Sequence, residues 1–75
     1  MNIVHHVMAD DWEGIYINKK LVVEGHRISG TKMSQVLEQH QPFAPAIQVF
    51  ADDDWMYENG NLPEDFDEVV VGEDG

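Results

Sequence analysis

The chain has 75 residues, of which 15 are acidic and four are basic, and its formal net charge is −11 at pH 7. A chain of this length is predicted to form one small domain, residues 1–75, with little room for an active-site cleft. It contains no cysteine, which excludes disulfides and thiolate metal sites. So acidic a surface repels nucleic acid and anionic membranes, and a basic protein surface is the partner that its charge favours.

The first six residues lack a basic region followed by a long apolar run, and no apolar run reaches membrane-spanning length. We therefore expect a cytoplasmic protein. A first strand is predicted over residues 2–8, where Ile3, Val4, Val7 and Met8 are the apolar members.

Residues 11–26 predict a β-hairpin, around which the rest of the chain is organised. Asn18-Lys19 suits a two-residue turn, because Asn adopts positive φ at low cost. Uninterrupted pairing gives the opposed pairs Ile17 and Lys20, Tyr16 and Leu21, Ile15 and Val22, and Gly14 and Val23. One face then carries Trp12, Tyr16, Leu21 and Val23. The other carries Ile15, Ile17 and Val22 with Glu13, Lys20 and Glu24 around them. Both faces are apolar at the middle, so both need a cover, and Trp12 and Val22 are expected in the core.

After the hairpin, the apolar residues recur with the period of an α-helix. Met33, Val36, Leu37 and His40 recur at the spacing of one helix face. Ser29 or Thr31 is the expected N-cap, and Gln41-Pro42 ends the helix, because the residue before a proline is pushed out of the helical region. Residues 46–51 predict a further strand, with Ile47 and Val49 on one face and Phe50 on the other.

The acidic half starts at Asp52-Asp53-Asp54, which is expected to cap a short helix over residues 55–58 that stops at Asn59-Gly60. Pro63 is predicted to open a turn over residues 64–66. Residues 69–71 predict a last strand, and residues 72–75 a frayed tail. The predicted fold is α+β: a small antiparallel sheet organised on a central β-hairpin, with one main helix packed on one face. The alternative is a chain that orders fully only as a dimer, with residues 69–71 pairing across a two-fold axis.

No metal or catalytic motif is found. Around Gly60 the calcium-loop pattern puts Trp55 where an acidic ligand is required. His5 and His6 are adjacent and point to opposite sides of a strand, while His26 and His40 have no partner at ligand spacing. Ser29 and Ser34 lack the surroundings of a nucleophile. We therefore predict no cofactor, no metal site and no enzyme activity, and keep a divalent-cation site at residues 52–54 as an alternative.

The acidic half is instead the predicted partner-binding surface. Trp55 and Tyr57 sit among acids, as an aromatic anchor does in an interface with a charged rim. The candidate residues are Asp52, Asp53, Asp54, Trp55, Tyr57, Glu58, Glu64, Asp65, Asp67 and Glu68.

The segments at residues 11–16, 20–22 and 24–26, with Trp55 and residues 60–63, resemble a group of small prokaryotic and phage proteins that carry no known activity. In size and acidity the chain is also similar to phage DNA mimics, including some anti-CRISPR proteins. That resemblance implies a non-enzymatic inhibitor that blocks a basic nucleic-acid-binding surface, such as that of a CRISPR effector, and transfers no residues. The alternative functions are a small acidic accessory subunit and a divalent-metal binder.

Overall fold

The computed structural model describes residues 1–72, which form a four-stranded sheet and two α-helices. The strands are β1 (Val4–Met8), β2 (Glu13–Ile17), β3 (Lys20–Gly25) and β4 (Ile47–Phe50), in the order β3-β2-β1-β4. The helices are α1 (Gly30–Gln39) and α2 (Asp53–Asn59), followed by a 3₁₀ turn at Phe66–Glu68. The predicted α+β fold with its hairpin and main helix is confirmed. Within residues 1–72, neither helix has the length and apolar content needed to cross a bilayer.

The sheet is mixed, so the prediction of a purely antiparallel sheet is wrong for one strand. β1 pairs antiparallel with β2, whereas β4 runs parallel to β1. α1 takes the chain from β3 at one edge of the sheet to β4 at the other, and such a crossover can return the chain in the parallel sense. Only one strand of the hairpin is therefore central: β2 is an inner strand of the sheet, and β3 is an edge strand.

The hairpin turn is confirmed, but its register changes two pairs beyond it. Asn18 and Lys19 have φ values of 51° and 71°, as a two-residue turn with both residues left-handed requires. Ile17 faces Lys20 and Tyr16 faces Leu21 as predicted, but Ile15 faces Val23 and Gly14 faces Glu24. Val22 is the extra residue of a bulge and is 41% exposed. Its predicted burial is wrong, because the bulge removes it from the alternation of faces.

Each face of the sheet has its own core. On the α1 face the buried residues are Val4, Ile15, Ile17 and Val36, with Val23 packed beside them. On the opposite face they are Val7, Tyr16, Ala51, Met56 and Leu62. Trp12 packs at the margin of this second core and is only partly buried, so its predicted place within the core is wrong. The expectation that both faces need a cover is confirmed.

Side-chain caps fix the starts of both helices. Ser29 Oγ accepts the Lys32 amide at 3.1 Å, so Ser29 rather than Thr31 is the N-cap of α1. Asp52 Oδ1 accepts the Trp55 amide at 3.1 Å, and the acids that follow it suit the positive end of the α2 dipole. Gly60 ends α2 with φ of 82°. The predicted helix between the three aspartates and Asn59-Gly60 is confirmed.

The C-terminal segment differs from its prediction in two places. The helical turn covers Phe66–Glu68 and so starts two residues later than the predicted turn over 64–66, because Asp65 serves as its cap. Residues 69–71 form no strand: Val71 makes a single bridge to Ala51, and the Gly72 amide donates to the Phe50 carbonyl at 2.8 Å. The backbone expected to pair with a second copy is partly paired with its own chain. Self-association itself stays a prediction, and the predicted tail lies mostly outside the described residues.

Gly14 has the most crowded surroundings of the five glycines at positions 14, 25, 30, 60 and 72. A Cβ atom there would overlap Leu62 Cδ1 and lie 3.2 Å from the Val23 carbonyl oxygen. We expect Gly14→Ala to lower the free energy of unfolding by about 1–3 kcal/mol, because Leu62 is buried and has little room to move. Gly25→Ala is the matched control, since a Cβ there meets nothing within 4 Å. Chemical denaturation of both variants would contradict this packing if they were equally stable.

Candidate functional site

The acidic residues of the candidate surface project into solvent. All of those between residues 52 and 68 are exposed except Asp52, which is partly buried as a helix cap. Met56, Leu62 and Phe66 from the same segment pack on the Val7 and Tyr16 face of the sheet. The acids therefore lie on the outer surface of the layer that covers this face, on the opposite side of the sheet from α1.

These acids form two groups rather than one row. Asp53 Oδ1 accepts the Asp10 amide at 3.0 Å, which places the start of α2 beside the loop before β2. Asp67 Oδ1 lies 3.1 Å from Lys19 Nζ, and the Phe66 amide donates to the Lys19 carbonyl, which places the 3₁₀ turn beside the hairpin turn after β2. The five residues of β2 separate these ends, a length of about 17 Å.

The two groups differ in how far they are neutralised. Lys19 pairs with Asp67, so one cation lies among the C-terminal acids. Among residues 1–72, no lysine or arginine lies within ion-pair distance of Asp53 or Asp54. The α2 end is thus the more strongly anionic end of this face.

A cavity of about 350 Å³ opens at the α2 end. Its walls come from the loop before β2, the residue after β3, and α2 with its C-cap. The lining residues are Ala9, Asp10, Asp11, Trp12, His26, Asp53, Asp54, Met56, Tyr57 and Gly60. We call this cavity the acidic pocket.

Hydrogen bonds hold the inner wall of the acidic pocket in place. Trp12 Nε1 donates to Glu24 Oε1 at 3.0 Å, and the same oxygen accepts the Leu62 amide at 2.8 Å. His26 packs edge-on against the Trp12 ring, with centroids 4.9 Å apart, and its Nδ1 lies 3.4 Å from Asp11 Oδ2. The indole is therefore oriented before anything binds.

The two aromatic residues of the candidate surface have different environments. Trp55 is partly buried and packs against the core, so its ring serves the fold. Tyr57 is 90% exposed on the rim of the acidic pocket. A large ring left in water contributes little to stability, which makes Tyr57 the better candidate for a contact residue.

Sequence reasoning named Asp53, Asp54 and Tyr57 but missed Asp10, Asp11, Trp12 and His26 as site residues. The predicted hairpin was the feature of the sequence that could have identified these missed residues. Its two-residue turn brings residues 11 and 12 close to residue 26, and the helix cap at Asp52 follows β4, which lies beside β1.

Two histidines of β1 occupy opposite faces of the sheet. His5 stacks on Phe66 with centroids 4.0 Å apart, and burial, with a smaller effect of Lys19, lowers the pKa of His5. His6 Nε2 lies 2.8 Å from Glu13 Oε1. Burial acts to raise the pKa of Glu13, but hydrogen bonds from His6 and the Ile28 amide, with the charges of His6 and Arg27, outweigh it and lower that pKa. The first contact joins β1 to the 3₁₀ turn, the second joins β1 to β2, and both lie outside the acidic pocket.

Within residues 1–72 no group of three or more histidine and acidic side chains is placed to hold a metal ion. Comparison with known protein families, with curated proteins and with solved structures found no match to this chain.

Proposed function

We propose that this protein is a non-enzymatic binding protein that covers a basic, nucleic-acid-handling surface of another protein. One observation carries the proposal: the acids of residues 53–68 are exposed on one face of a folded scaffold, and Asp67 alone among them pairs with a lysine or arginine of the described chain. Carboxylates held by a scaffold can meet Lys and Arg side chains without the ordering cost of a flexible tail.

The two-group arrangement refines this proposal. The partner would contact two groups of carboxylates, one beside each end of β2, and not a single row of evenly spaced carboxylates. Because a gap separates the two groups, their carboxylates fit two separate basic patches of a partner better than they imitate one continuous strand of phosphates. Nucleic-acid-binding proteins of the cytoplasm, including RNA-guided DNA-binding effectors, offer such patches in their nucleic-acid channels.

Competition with nucleic acid tests the proposal. A CRISPR-type effector loaded with guide RNA is mixed with a fluorescent target duplex, and the release of the duplex is followed as this protein is titrated. We expect release to weaken steeply with added salt, because the Debye length falls from roughly 10 Å at 0.1 M to roughly 3 Å at 1 M. A panel of basic DNA-binding and RNA-binding proteins extends the test beyond effectors.

The charge variant is Asp53→Asn, Asp54→Asn and Glu58→Gln in one chain, which removes three exposed charges with little change of shape. We expect it to release the duplex less well while its melting temperature stays equal or rises, since self-repulsion falls. Glu38→Gln, an exposed acid on α1, is the control and should act as the parent does. The proposal fails if no protein of the panel loses its nucleic acid, or if release is insensitive to salt and to the triple variant.

A further inference from the structure

We infer that the acidic pocket takes up a single arginine side chain of the partner. This inference rests on the proposed function and names the contact that would anchor it. The cavity of about 350 Å³ lies at the small end of ligand pockets, which range over roughly 300–1,000 Å³. It is therefore large enough to hold one arginine side chain.

The lining has the chemistry that a guanidinium group requires. Asp10 and Asp11 come from one segment of the chain and Asp53 and Asp54 from another, so acidic residues of two separate elements line the cavity. A guanidinium is planar and carries five N–H donors, and it can therefore satisfy several carboxylates at once. The lining contains no lysine or arginine that would already occupy this role.

The aromatic part of the lining supports the same ligand. Trp12 is held by its hydrogen bond to Glu24, whose Oε1 also accepts the Leu62 amide, while Tyr57 stands almost fully in water on the rim. A cation over an aromatic face is attracted by the ring, and arginine also stacks on such faces. Met56 supplies apolar surface for the methylene stem.

Binding can be followed on the indole N–H of Trp12. In a ¹⁵N-labelled chain the two tryptophans give two indole signals, and Trp55→Phe identifies which belongs to Trp12. The probe is Nα-acetyl-arginine N-methylamide, titrated to tens of millimolar at constant ionic strength. Its neutral analogue is the citrulline derivative, which keeps the shape and loses the charge. The lysine derivative separates guanidinium from general cation binding, and tetramethylammonium tests for a free quaternary cation.

We expect the arginine probe to shift the Trp12 signal to saturation, with the citrulline probe at least about tenfold weaker because the charge-assisted hydrogen bonds are lost. The pocket variant, Asp10→Asn with Asp11→Asn, should weaken the arginine probe to a similar extent, and so should Tyr57→Ala. The control is Glu38→Gln, which removes an exposed acid from α1 on the opposite side of the sheet and should leave the affinity within about twofold. All of these residues are exposed, and melting curves would verify that each variant is folded.

Besides an arginine probe that leaves the Trp12 signal unchanged, three results would overturn the inference: equal binding of the citrulline probe, equal weakening by the pocket and control variants, or tighter binding of lysine or tetramethylammonium than of arginine. These outcomes are separable from failure of the proposed function. If the arginine probe leaves Trp12 unchanged while duplex release still depends on Asp53, Asp54 and Glu58, the pocket assignment is wrong and the proposed function stands. If the probe binds as expected and no nucleic acid is released from any protein, the proposed function is wrong and the pocket assignment stands.

Discussion

Replacing Tyr16 by alanine should remove a large part of the protein's stability. Tyr16 is 0% exposed, lies on the inner strand β2, and packs edge-on against Phe66 with centroids 5.4 Å apart. Its hydroxyl donates to the Pro63 carbonyl. Burial, helped by the charges of Glu24, Asp65 and Glu68, raises the pKa of Tyr16, so the hydroxyl stays protonated and remains a donor. The side chain thus joins the sheet to the segment that covers it.

The expected loss is about 3–5 kcal/mol, the cost of truncating a buried aromatic side chain. A chain of this size has a total stability of about 4–11 kcal/mol, so the melting temperature should fall by more than about 10 °C. Circular dichroism followed during heating measures this directly.

Tyr57→Ala is the matched control for Tyr16→Ala, because it removes the same side chain from a position that is 90% exposed. Its stability should stay within about 0.5 kcal/mol of the parent. Tyr16→Phe separates the hydroxyl from the ring and should cost about 1 kcal/mol through the lost hydrogen bond. If Tyr16→Ala melted within a few degrees of the parent, the face that Tyr16 shares with Val7 and Met56 would not be the main core.

Local chemistry explains which parts of the fold could be predicted. The hairpin turn follows from Asn18, the start of α1 from Ser29, and both ends of α2 from Asp52 and Gly60, because each of these residues satisfies or permits a specific backbone geometry. The direction of β4 could not be predicted in the same way. It depends on where the chain returns after α1, and that is decided by packing between distant segments.

The bulge at Val22 limited the prediction of the site. Val22, Val23 and Leu21 are all apolar and all suit a strand, so composition does not mark which of them is extra. One additional residue turns every later side chain of β3 to the other face. Val23 therefore joins Ile15, and Glu24 lies beside Trp12 and Leu62 instead of on the α1 face. Because of this one-residue change of register, the sequence did not reveal that Glu24 supports the wall of the acidic pocket.

Glu24 should for this reason be the acidic residue whose removal destabilises the protein most. Its Oε1 accepts from Trp12 Nε1 at 3.0 Å and from the Leu62 amide at 2.8 Å. Glu24→Ala leaves both donors without this acceptor, and Leu62 is buried. An unsatisfied buried group costs about 1–3 kcal/mol, so we expect a loss of about 2–4 kcal/mol for the pair, measured by urea denaturation. Removal of most other acids of this chain should instead be neutral or stabilising, since it lowers self-repulsion.

Two variants make this expectation specific to the acceptor. Glu24→Gln keeps an oxygen of the same shape and should cost only about 1 kcal/mol, because the charge-assisted part of the hydrogen bonds is lost while the bonds remain. Glu38→Ala removes an exposed acid from α1 and should leave the unfolding midpoint nearly unchanged. Faster exchange of the Leu62 amide and a displaced Trp12 indole signal should accompany Glu24→Ala and be absent from Glu38→Ala. Equal stability of Glu24→Ala and Glu24→Gln would mean that the carboxylate does not hold Trp12 and Leu62 together, and the inner wall of the acidic pocket would then have to be fixed by His26 and Met56 alone.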